Sequence, residues 1–123
     1  MKLLDNQLDK ASLSKFGEEA CRLLIARDFS GLAARFGYAL RGNFDEASAI
    51  EMELKRCLSD REFLSAEVVS VTVRNFKPND TGLISLIECV LSFDKRVRVL
   101  AELIVAKNAE SHNLYLEEIS EMA

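Results

Sequence analysis

The hydrophobic period of this 123-residue chain changes near residue 64. Before that point apolar positions recur at helical spacing. In "SKFGEEACRLLIARDF", Phe16, Ala20, Leu23, Leu24 and Arg27 fall at i, i+4, i+7, i+8 and i+11, one helix face with Arg27 at its charged edge. "SGLAARFGYAL" predicts a second, shorter helix, capped by Ser30, with Leu32 and Phe36 on one face and Gly37 at its exit. In "SAIEMELKRCLSD", Ser48 and Glu51 have the S-x-x-E spacing of a capping box. Ile50, Leu54, Cys57 and Leu58 then form the buried stripe of a third helix.

After residue 64, valine, isoleucine and leucine dominate and charges come singly. The pattern predicts strands over roughly 66–77, 82–93, 96–107 and 113–121. "KPNDTG", "FDKR" and "KNAESHN" are the reversals, with Pro78 fixing φ and Gly82 free to take positive φ. Such short connections imply an antiparallel meander. Helices first and a sheet afterwards predict one α+β domain over residues 1–123. Its helices lie within about 8–60 and cover one face of a sheet of four strands or slightly more within about 66–121.

Two carboxylates interrupt the apolar run of residues 81–107, Glu88 and Glu102. Strand phase decides which face they occupy, because side chains alternate. Val69, Val71 and Val73 form one face, as do Val97, Val99, Ala101, Leu103 and Val105; both sets are expected under the helices. The middle strand can join that face with Ile84, Leu86, Glu88 and Val90, which buries a lone acid. It can instead join with Leu83, Ser85, Ile87, Cys89, Leu91 and Phe93. The second phase segregates charge more cleanly and is favoured. It sets Glu88 opposite Glu102, with Thr72 on the other side and Arg74 diagonal, and places Arg98 on the same outer face. Ile84, Leu86, Val90, Leu100 and Ile104 would share that face, so a partner, a second copy or a long loop is expected to cover it.

Composition narrows the class. Hydrophobic residues make up 49% and charged ones 29%, a balance that permits a packed core. A net charge of −4 argues against a nucleic-acid or anionic-membrane surface. Cys21, Cys57 and Cys89 are odd in number and widely spaced, which argues for reduced, buried thiols in a cytoplasmic protein rather than disulfides or a zinc site. No metal or cofactor is implied. "MKLLDNQLDK" lacks a signal-peptide core, and the apolar runs are too interrupted to span a bilayer.

"ARDFSGLAARFG" and the late strands ending in "HNLYLEEISEM" resemble the nuclear transport factor 2-like superfamily, the cystatin-like cone. The resemblance covers nearly the whole chain in pattern. It implies three helices closing the mouth of a strongly curved sheet around an apolar pocket. Members include ketosteroid isomerases, dehydratases, polyketide cyclases, ligand-binding subunits, dimerisation modules and immunity proteins of bacterial toxin systems, so fold leaves function open.

The chemistry-bearing residues favour binding over catalysis. His112 falls in a polar reversal, where a solvated histidine is expected. Tyr38 follows a helix exit and is expected to pack. Asp28 and Asp45 sit at helix starts, where capping accounts for them. "FGYALRGNF" has glycines but no phosphate-loop spacing. Lys95, Arg96 and Arg98 read as a protected strand end. The primary expectation is a non-catalytic protein acting by protein–protein contact, most specifically an immunity protein. Tyr115 is its aromatic anchor, and Glu117, Glu118 and Glu121 face a basic toxin surface. The alternative is a small-ligand, isomerase, dehydratase or polyketide-cyclase-like pocket with Glu88 as its acid, helped by Tyr38. A homodimer formed through the outer sheet face is the third possibility.

Overall fold

The computed structural model describes residues 1–39 and 45–122. Three helices, α1 (Lys10–Ile25), α2 (Phe29–Phe36) and α3 (Glu46–Cys57), precede the long strands. Strands β2 (Ala66–Asn75), β3 (Leu83–Phe93), β4 (Val97–Asn108) and β5 (Ser111–Glu121) form the predicted antiparallel meander. A two-residue strand β1 (Lys2–Leu3), not anticipated from the pattern, pairs with β5, giving an open five-stranded sheet of order β1-β5-β4-β3-β2. No helix among the described residues is long and apolar enough to cross a membrane.

Aspartates start all three helices. Asp9, Asp28 and Asp45 accept hydrogen bonds from the backbone N–H of Ser12, Gly31 and Ser48, satisfying donors that the first helical turn leaves free. This corrects two expectations. Asp28, not Ser30, caps α2. Ser48 lies inside the first turn of α3, so the Ser48–Glu51 capping box does not form. Arg27 is not on the α1 stripe either. At φ +57° it ends the helix in the left-handed region, and the Asp28 N–H reaches back to the Leu23 carbonyl. Gly37 (φ +75°) ends α2 as expected, whereas Leu40, the last residue of the predicted helix, and Gly42 of "FGYALRGNF" lie outside the described residues.

The core lies between the helices and one sheet face. α1 contributes Leu13, Ala20, Cys21 and Leu24, α2 contributes Leu32 and Phe36, and α3 contributes Ile50, Leu54 and Cys57. Phe16 and Leu23, expected on the α1 stripe, are only half-buried, because the packed face centres on Gly17 instead. The sheet supplies Ile87, Cys89, Leu91 and Phe93 from β3 and Val97, Val99, Ala101, Leu103 and Val105 from β4. Each such fully buried aliphatic side chain stabilises the fold by about 1.5–3 kcal/mol. All three cysteines are free and buried. Cys89 donates to the Gly17 carbonyl at 3.6 Å, and a hydrogen bond with Cys21, together with burial, pushes its pKa up. A thiol so held is a packing group.

Three irregularities break strand alternation. Val69 in β2, Ile84 in β3 and Glu117 in β5 are each the extra residue of a β-bulge. Val69 is therefore not the core residue expected; it is 44% exposed, and Val68 takes the position opposite Leu91. Ile84 packs against the core, while Leu83 sits opposite Ala106, reversing the expected faces. His112 is likewise not in a reversal. It belongs to β5, half-buried between Leu3 and Lys107.

Candidate functional site

Pairing of the long strands puts Glu88 opposite Glu102, in the phase that keeps both acids away from the helices. The next pair extends the line. Thr72, Glu88, Glu102 and Glu118 stand opposite one another in sequence across β2, β3, β4 and β5. Three carboxylates thus occupy one row across adjacent strands, which are spaced about 4.8 Å apart. Because Glu117 is the bulged residue, it remains beside Glu118 and adds its field to the same row.

Apolar rows flank this acidic one. On one side Leu86, Ile104 and Tyr115 stand abreast; on the other, Val90 and Leu100. Leu86 and Ile104 are only 9% and 8% exposed although they do not belong to the core between helices and sheet. Their neighbours on the outer face shield them. Arg74 begins the first of these rows and leans diagonally, its Nε lying 2.8 Å from Glu88 Oε1 in an ion pair. The Arg74 side chain is 64% exposed and that of Glu88 26%, so this is a surface pair worth about 0–1 kcal/mol. Arg98, at the far end of the face, pairs across the strands with Ser92.

Electrostatics follow from this arrangement. Burial raises the pKa of Glu102, and Glu118, Glu88 and Glu117 raise it further, against a smaller opposing pull from Arg74. Tyr115 is likewise raised by burial and by Glu117. Like charges directly opposite in a sheet are destabilising. The row is therefore held in place by the fold rather than contributing to it.

Two expected groupings do not assemble. Tyr38 lies where the chain leaving α2 adds to the edge of β5; the Ala39 N–H donates to the Leu116 carbonyl at 3.0 Å, and the Tyr38 N–H to Glu46 Oε2 at 3.0 Å. Burial and the nearby Glu53 and Glu118 push its phenol up to about 12. It lines an open cleft of about 330 Å³ with Glu53, Arg56, Cys57 and Glu121, two strands away from Glu88. Glu121 belongs to this cleft and not to the acidic row, so Tyr115, Glu117, Glu118 and Glu121 are not one patch. Glu118, at the edge of β5, borders both.

Among the described residues, no three carboxylate, histidine or cysteine side chains are gathered so as to hold a metal ion. No protein-family model, curated protein or solved structure matches this chain.

Proposed function

We propose that this is a non-catalytic binding protein that acts by protein–protein contact through the outer face of its sheet. The observation that carries the proposal is the row Glu88–Glu102–Glu118, with Glu117 beside it, set between rows of hydrocarbon. Such a face suits a partner that is basic at its centre and apolar around it. Cations from the partner would relieve a repulsion that the free protein must sustain. Half-buried Val90, Leu100 and Tyr115 would supply apolar contact area, with Tyr115 as the aromatic anchor, while Leu86 and Ile104 are already buried and serve as its support. The most specific form of the proposal is an immunity protein of the nuclear transport factor 2-like, cystatin-like cone class, neutralising a basic toxin domain in the cytoplasm. The pocket-enzyme alternative needs a lone acid beneath the helices, whereas Glu88 here faces away from them, ion-paired and apart from Tyr38.

Paired affinity capture tests the proposal. The wild-type chain and a Glu117→Lys/Glu118→Lys variant serve as baits in lysate of the source cells, with melting temperatures measured alongside. A basic protein held by the wild type and lost by the variant, with a melting temperature for the variant no lower than that of the wild type, is the expected result. Its toxicity when expressed alone, and rescue by co-expression of this chain, would establish the immunity role. Identical capture by both baits would remove the outer face as the binding surface.

A further inference from the structure

The free edge of the sheet is a separate surface from the acidic row. β2 pairs with β3 on one side and with nothing on the other among the described residues. The Phe76 N–H donates to the Ile84 carbonyl of β3. Alternation along the strand then turns the N–H and C=O groups of Val71, Val73 and Asn75 outward, a ready template for another strand. "AEVVSVTVRN" contains neither lysine nor proline, the usual protections of an edge. Exposed hydrocarbon also concentrates here. Among the described residues six large apolar side chains are exposed, and four of them, Leu64, Val68, Val69 and Phe76, lie within 64–76.

We infer that β2 pairs antiparallel with β2 of a second copy of this chain, about a two-fold axis through Val71, joining two sheets into one. The bulge makes the strand self-complementary. In a regular strand Glu67 and Arg74 would point to opposite faces. The extra residue Val69 changes the phase, and both residues now share the outer face, opposite Ser92 and Leu86 of β3. With Val71 facing Val71 of the second copy, Ser70 faces Thr72, Val68 faces Val73, and Glu67 faces Arg74. Every pair matches in chemistry, and each non-central pair occurs twice. Arg74 then bridges its own Glu88 and Glu67 of the second copy, which its five donors permit. Beside the axis, a groove of about 430 Å³ between α1 and residues 68–71 leaves room for the valines of the second copy.

Light scattering and disulfide trapping test this on the full chain. The wild type is expected at twice the 13.8 kDa chain mass. Glu67→Arg sets two arginine pairs face to face and is expected to halve the apparent mass while leaving the melting curve cooperative. The Ser70→Cys/Thr72→Cys variant places cysteines directly opposite one another, with Cα atoms about 4.5 Å apart, a separation that a disulfide spans. It is expected to give a covalent dimer with oxidised glutathione, whereas the wild-type cysteines, being buried, give none. A monomeric wild type would overturn the inference. So would a dimer indifferent to Glu67→Arg with no trapped product, since its contact would lie elsewhere, the outer face included. Because Glu67 is outside the acidic row, failure here leaves the partner-binding proposal standing, and the converse holds.

Discussion

Replacing Glu102 by glutamine should stabilise the protein, whereas the same change at Glu88 should not. Glu102 stands between Glu88 and Glu118 and has no cation of its own; Arg74 pairs with Glu88 at 2.8 Å. Two unit charges about 6 Å apart repel by roughly 0.7 kcal/mol at the dielectric constant of water, less once salt screens them. Glu102 has two such neighbours and a partial offset from Arg74, so Glu102→Gln should add about 0.5–1 kcal/mol. For a domain of this size that raises the melting temperature by roughly 2–5 °C. Glu88→Gln also relieves repulsion but gives up the Arg74 pair, worth about 0.5 kcal/mol, so its net effect should be near zero or slightly negative.

The pH dependence carries a sign of its own. Glu102 holds its proton more tightly in the folded chain than at its ordinary value of 4.5. The folded state is therefore relieved of the penalty below 4.5, and the penalty grows as pH rises through the raised folded value. The advantage of Glu102→Gln should accordingly be full at neutral pH and vanish on acidification through that window. Thermal melts of wild type and both variants at pH 7 and pH 4, in low and high salt, read all of this. A Glu102→Gln variant less stable than wild type at pH 7 in low salt would refute the claim that the row is repulsive.

Other outcomes follow from packing and capping. Gly17→Ala should destabilise by about 1–2 kcal/mol in chemical denaturation despite alanine's better helix propensity, because its Cβ would lie 2.7 Å from Val71 Cγ1 and 2.8 Å from Ile87 Cγ2. Gly82→Ala should lower the melting temperature, since the residue has φ +76° and a Cβ there would sit 2.6 Å from the Lys107 carbonyl oxygen. Asp94 accepts from the Leu64 and Ser65 N–H groups and the Ser65 hydroxyl, and those bonds hold its pKa below the ordinary 3.8. Its contribution should be full above 3.8 and fade as pH falls through the lowered value, and Asp94→Asn should abolish that part of the acid sensitivity of the melting temperature.

The α+β order, the long strands and the Glu88–Glu102 pairing were legible from hydrophobic period alone. They rest on the strongest local signal, alternation over ten or more residues with one buried face. Helix starts are legible in part. Asp28 and Asp45 cap α2 and α3 as their positions suggest, whereas Ser30 and Ser48, which also have capping chemistry, do not, because the aspartate two or three positions earlier offers a charged acceptor to the same first turn. The two-residue β1 could not be seen, because its pairing with β5 is a long-range contact without a local pattern. Nor does composition show that Tyr38 and Glu121 line a cleft that Glu118 borders and Glu117 does not.

The bulges account for the rest, and two of them shape the proposed surfaces. In "LYLEEI", strict alternation from Leu114 would turn Glu118 under the helices and Ile119 toward solvent. Two adjacent acids between apolar residues are a pattern that only an extra residue can resolve, and Glu117 is that residue. The bulge returns Ile119 to the core and sends Glu118 to the row. Val69 has the same effect at the other edge, bringing Glu67 and Arg74 to one face. A sheet needing only stability could have met the first conflict with a single polar residue at 117–118. It could have met the second with a lysine on the edge. Keeping two acids and a valine edge without lysine or proline instead leaves one face repelling itself and, on the pairing inferred above, one edge matching its own copy. Both arrangements gain from a second molecule and neither helps the chain alone.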